Sequence, residues 1–105
     1  MSETLDELRT RLNAETGKLV WKELERFYAR GVVIVVAPEL DLVEVAARVV
    51  ADDTKAVQDW LTAGRMARAG EDHARDWVVR TPTFWAVVAA PWVLVQEADA
   101  RDSVH

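Results

Sequence analysis

Cysteine is absent from the chain, which removes disulfides, thiolate nucleophiles and zinc–thiolate sites together. Serine occurs only at Ser2 and Ser103. Both lie near the ends, so a Ser-His-Asp arrangement has no body residue to serve as nucleophile. Gly17, Gly31, Gly64 and Gly70 are scattered; each suits a turn or a helix cap, and together they make no phosphate-cradling loop. Histidine is limited to His73 and His105, and no acidic run has calcium-loop spacing. The sequence therefore calls for no metal and no cofactor.

Basic residues are also in deficit: 13 lysines and arginines face 18 acids, for a net charge of −5. Residues 1–31 are balanced, 32–63 are strongly acidic, and 64–82 are slightly basic through Arg65, Arg68, Arg75 and Arg80. No basic stripe of the kind a phosphate backbone demands is present, which argues against nucleic acid as a partner. The polar amino terminus, Met1-Ser2-Glu3-Thr4, is followed by no apolar signal-peptide core. The longest uncharged apolar stretch, Phe84–Val95, would be about 18 Å long as a helix, against ~30 Å for a bilayer core. Without a membrane span, the expected location is the cytoplasm.

What is present is an ordinary globular balance: half of the 105 residues are hydrophobic and 30% charged. That is enough for one domain with one core, expected to be ordered over about 3–97. Thr4 and Glu7 form a capping-box pattern, and Leu5, Leu8 and Leu12 make a helical stripe over about 3–15. After a break at Gly17, a second helix over about 19–30 carries Val20, Leu24, Phe27 and Tyr28, with Gly31 as its C′ residue. Val32–Val36 is β-branched throughout and apolar on both parities, the pattern of a strand covered on both faces.

Leu40-Asp41-Leu42-Val43-Glu44-Val45 starts a third helix, with Asp41 as cap and Glu44 placed to reach back. Glu44 and Arg48 mark its only exposed line, at ion-pair spacing. The rest of 42–50 is apolar nearly all round, which requires either a central helix or one covered by a second subunit. Further helices are expected over about 54–63 and from Glu71 to Arg80, with a short strand over 65–69 between them. Phe84–Ala89 and Trp92–Gln96 are extended, separated by Pro91. Proline supplies no ladder donor, so 84–89 reads as the central strand and 92–96 as an edge or a turn onto a partner. Ala98–His105 reads as a fraying tail. The fold class is α+β: a small three- to four-stranded sheet against about five helices, in the order α-α-β-α-α-β-α-β with the last strand bent or doubled.

Several residues are candidates for function. His73 can titrate near neutral pH, with Asp76 three positions along the same helix to orient it; the plainer reading is a surface histidine in an acid-rich first turn. Asp52-Asp53 offers paired carboxylates, although capping the next helix explains them as well. Asn13, Glu15, Lys18, Trp21, Lys22 and Glu25 cluster around the first helical break, as a partner-binding patch or a solvated face with Trp21 tucked inward. Five tryptophans are many for one small core. Trp85 and Trp92 are the candidates to face a pocket or another chain, with Pro91, Gln96 and Glu97 beside them.

The stretches Leu12-Asn13-Ala14-Glu15-Thr16, Trp21-Lys22-Glu23-Leu24, Leu40–Ala46 and Trp60-Leu61 resemble a small bacterial family, as do Trp85–Val88 and Ala90–Glu97. It is the uncharacterised domain-of-unknown-function family numbered twenty-two eighty-eight. The likeness covers most of residues 5–97, and Ala-Pro-Trp-Val-Leu-Val-Gln-Glu is its most specific segment. It implies a bacterial, stand-alone, cytoplasmic domain and carries over no activity, ligand or catalytic residue. The leading functional expectation is a non-enzymatic interaction module, a homo-oligomer with a dimer favoured. The alternative is a small-molecule-binding protein or enzyme with a pocket between sheet and helices, recruiting His73, Glu97, Tyr28 or Asp52-Asp53.

Overall fold

The computed structural model describes residues 3–98, and Asp99–His105 of the expected tail lie outside them. Five helices and five strands run in the order α1 (Leu5–Glu15), β1 (Gly17–Val20), α2 (Trp21–Ala29), β2 (Val33–Val36), α3 (Leu42–Val50), α4 (Thr54–Thr62), β3 (Met66–Arg68), α5 (Glu71–Arg80), β4 (Thr83–Ala89) and β5 (Trp92–Glu97). The class is α+β, with five strands rather than three or four. The extra strand is β1, where the sequence suggests only a helical break. Gly-Lys-Leu-Val has little strand character of its own; it is extended because it pairs antiparallel with β4, Lys18 opposite Trp85 and Leu19 opposite Phe84.

The sheet order is β1-β4-β5-β2-β3, and only β2 and β5 are parallel. The central strand is therefore β5, not 84–89. Pro91 does not prevent this because it sits in the hairpin turn, joined to Ala90 by a cis peptide bond, before the first paired residue, Trp92 opposite Ala89. The missing donor falls outside the ladder.

Strand alternation divides the core in two. Ile34, Val36, Val87, Ala89 and Leu94 point to a first face, covered by Leu8 and Leu12 of α1, by α3, and by Val57 and Trp60 of α4. Val33, Phe84, Ala86, Val93 and Val95 point to a second face, covered by Trp21 and Leu24 of α2 and Trp77 of α5. The all-round apolar helix α3 is thus a central helix: Val45, Ala46 and Ala47 are buried, enclosed by α1, α4 and the sheet. A second subunit is not needed to cover it.

The local start and stop signals operate as the sequence suggests. Thr4 N donates to Glu7 at 2.8 Å and Glu7 N donates to the Thr4 hydroxyl at 3.1 Å, closing the capping box. Asp41 accepts from the N–H groups of Val43 and Glu44 at 3.0 and 3.2 Å. Glu44 does not complete a box; it turns to Arg9 of α1 and accepts 2.8 and 3.1 Å bonds from Arg48 and Arg9 Nη2. Gly31, with φ of 74°, ends α2 in the left-handed conformation glycine adopts without strain.

Candidate interaction surface on the second face of the sheet

The two sides of the sheet are covered unequally, three helices against two. On the second face α5 lies at the end holding Phe84, where Trp77 packs on Phe84 at 4.8 Å and on Trp21 at 5.6 Å. At the other end the register places Val88 beside Val93, next to the β4–β5 hairpin. No helix crosses Val88, which is 56% exposed. Gly17, Leu19, Phe27, Ala86, Val88 and Val93 line a groove of about 260 Å³, with Glu15, Lys18 and Arg26 at its margin. It continues into a hollow of about 240 Å³ shared by Leu19, Lys22, Glu23, Arg26 and Phe27. Val88 also borders a third hollow, with Val50 and Ala90.

The margin is cationic. Lys22 and Arg26 stand one turn apart on α2, beside Glu23, which accepts the Val20 N–H. Among the described residues Arg9, Arg11, Arg48, Lys55, Arg65, Arg75 and Arg80 are paired with carboxylates. Lys22 and Arg26, at the groove, are not. Arg26 lies over Phe27 at 4.8 Å, a contact that leaves its charge available to a further partner; Lys18 reaches over Trp85 at 4.9 Å, on the first face.

The candidates named from the sequence divide into separate groups. Gln96 donates from Nε2 to the carbonyls of Ala37 and Leu40 at 2.7 and 2.8 Å, pinning the β2–α3 connection. Glu97 accepts two bonds from Arg80 at 3.0 and 2.8 Å, and Arg80 also pairs with Asp76. The Arg80 guanidinium holds Asp76 below the usual carboxylate range, and Asp76 and then Glu97 raise Arg80. These charges tie α5 to β5. His73 accepts the Gly70 N–H at Nδ1, 3.0 Å away, and stacks on Trp77 at 5.4 Å; its ring caps α5. Trp21 is buried in the second core. Trp85 is half-buried on the first face.

The fold does unite Trp92 with Asp52 and Asp53, around a cavity of about 290 Å³ completed by Val49, Thr54, Val57 and Gln58. Pro91 adjoins it in the hairpin turn. Asp53 is occupied there: it accepts from Ala56 N at 3.2 Å as the cap of α4 and pairs with Arg48. Arg68 lies over the Trp92 ring at 5.1 Å. Among the described residues no group of acids or histidines is arranged to hold a metal ion.

Residues 7–97 match the family model described as a protein of unknown function, DUF2288. The chain belongs to this family. No curated protein matches it. It is similar over its full length to PA1075 from Pseudomonas aeruginosa, known from an NMR solution structure, with 44% identity, 97% of that chain covered and a TM-score of 0.79. The fold described above is thus shared by an experimentally determined relative. No helix of the described residues is long and apolar enough to cross a membrane.

Sequence reasoning reached part of the groove through Glu15, Lys18 and Lys22 in the polar cluster, but missed Leu19, Arg26, Phe27 and Val88. The four-residue spacing of Lys22 and Arg26 was the available signal. Val88 had none, because its exposure depends on where α5 stops.

Proposed function

We propose that this DUF2288 member is a non-enzymatic cytoplasmic interaction module, homo-oligomeric in its working form, that docks through the uncovered end of the second sheet face. The observation that carries the reading is Val88, 56% exposed between two buried strand neighbours, Val87 and Ala89. An uncovered apolar sheet position rimmed by open cations supports a docking surface better than a reaction centre. Among the described residues His73, Asp53, Asp76 and Glu97 are engaged in capping or ion pairs, and Tyr28 packs its ring on Trp21 in the second core. Native mass spectrometry of the protein purified from its own host tests this. The expected result is an assembly above 11.8 kDa that Val88→Asp abolishes while the circular dichroism spectrum is retained. A wild-type chain found only as a bare monomer would overturn it.

The cavity at Trp92 favours a second reading, a small-molecule binder. It is near the lower limit of ligand-pocket volumes, and the side chain that gives it chemistry is Asp52, held at φ of 58°. A metabolite panel that shifts the Trp92 indole N–H resonance at micromolar concentration would move the assignment there.

A further inference from the structure

We infer that the occupant of the groove is α5 of a second copy of this chain, in a reciprocal two-fold pair. This rests on the interaction reading above and names the partner for the same surface.

The first observation is the outer side of α5. Trp77 is buried and Ala74 packs into the second core, so the helix is anchored along that line. Val79 lies on the opposite side and is 81% exposed; Val78, beside it, is 57% exposed. These are the two most exposed large hydrophobic residues among those described, and they adjoin on one helix. Two β-branched apolar side chains held in water are a ridge without a seat.

Charge is the second observation. The same helix carries Glu71, Asp72 and Asp76, whereas the groove and the hollow it runs into carry Lys22 and Arg26 without carboxylate partners. The acids of the first turn of α5 are held only by Arg75, in pairs whose side chains are 73–96% exposed. Such exposed pairs exchange partners at little cost. An acidic, valine-tipped helix complements an apolar groove with a cationic rim in both shape and sign.

Placement is the third. Ridge and groove lie on the same face of one chain, α5 over the Phe84 end and the groove at the Val88 end. A two-fold axis parallel to that face and passing between them sets each α5 over the other copy's groove. Both contacts form at once and the assembly closes, as an isologous interface requires. A heterologous use of the same two patches would leave one ridge and one groove open and propagate into a chain of molecules.

Reciprocity makes every substitution count twice. Sedimentation velocity over about 1–200 µM should show a reversible monomer–dimer equilibrium for the wild type. Val79→Asp and Val88→Asp should each raise the dimer dissociation constant at least tenfold; both positions are exposed, so circular dichroism should be unchanged, and thermal midpoints should fall only at concentrations where the wild type is dimeric. Lys22→Glu with Arg26→Glu should weaken the dimer similarly, and adding Glu71→Lys with Asp72→Lys should restore it to within about threefold of the wild type. A dimer weakened by Val88→Asp but indifferent to Val79→Asp and to the charge reversal would overturn the α5 assignment and leave the docking surface standing. A monomer at 200 µM whose native assembly contains a different protein, lost on Val88→Asp, would overturn self-pairing, including the homo-oligomeric part of the proposed function, and leave the docking surface standing. A monomer with no partner of any kind would overturn both readings.

Discussion

Replacing Glu44 with glutamine removes the carboxylate at which three helices meet. Its two oxygens accept from Arg9 of α1 and from Arg48 of α3, and Arg48 in turn reaches Asp53, the N-cap of α4, at 3.2 Å. The hydrogen bonds from Arg9 lead the causes that bring Glu44 from 4.5 down to about 2, against the opposing pull of desolvation. At 1.36 kcal/mol per pKa unit the full shift corresponds to about 3 kcal/mol. Side-chain exposures of 31% for Glu44 and 34% for Arg9 admit solvent screening, which reduces it to about 1–2 kcal/mol. Because the folded-state pKa is the lower one, this stabilisation is complete above about pH 4.5 and disappears as the pH falls through about 2. Urea denaturation of wild type and Glu44→Gln should therefore differ by about 1–2 kcal/mol at pH 7 and converge near pH 2, and 1 M salt should narrow the gap at pH 7. A gap that is the same at pH 7 and pH 2.5, or one below about 0.3 kcal/mol at pH 7, would refute the linkage.

Gln96→Leu leaves the Ala37 and Leu40 carbonyls without their donor, and should cost about 2 kcal/mol, or about 10 °C in thermal midpoint; a loss under about 0.5 kcal/mol would show that water replaces the amide without penalty. Thr81 closes α5 at φ of 45°, a left-handed conformation that a β-branched residue adopts at a cost. Thr81→Gly should raise the midpoint by about 0.5–1 kcal/mol equivalents even though the hydroxyl's 2.8 Å bond to the Arg80 carbonyl is lost. A lower midpoint would mean that this bond outweighs the backbone strain.

Element positions follow from local chemistry wherever a side chain can decide them alone. The Thr4–Glu7 box, the Asp41 cap, the Gly31 stop and the Val32–Val36 run each act within a few residues; the structure keeps the first three and makes Val33–Val36 of the last a strand. The sequence failed where the deciding partner is distant. Gly17–Val20 becomes a strand because β4 lies beside it, and Glu44 leaves its cap for an arginine 35 positions earlier. Gln96 and Glu97 read as part of a candidate interface beside Trp85 and Trp92, but the fold gives them Ala37, Leu40 and Arg80. Pro91 was correctly placed at a break; its effect on strand order was misjudged because a proline in a turn removes no ladder bond.

By itself the sequence determined the α+β class, the positions of most helices and strands, the family, and the exclusion of cysteine, serine-triad and phosphate-loop chemistry. The family follows from the likeness of particular segments, and the rest from composition, from periodicity and from which residue types are available, all of which can be read along the chain. Only the tertiary structure decided that β5 is central, that α3 is enclosed by its own chain, and that Val88 is left uncovered beside unpaired cations. Those outcomes depend on strand order and on how far each helix extends across the sheet, which arise from contacts between residues far apart in sequence.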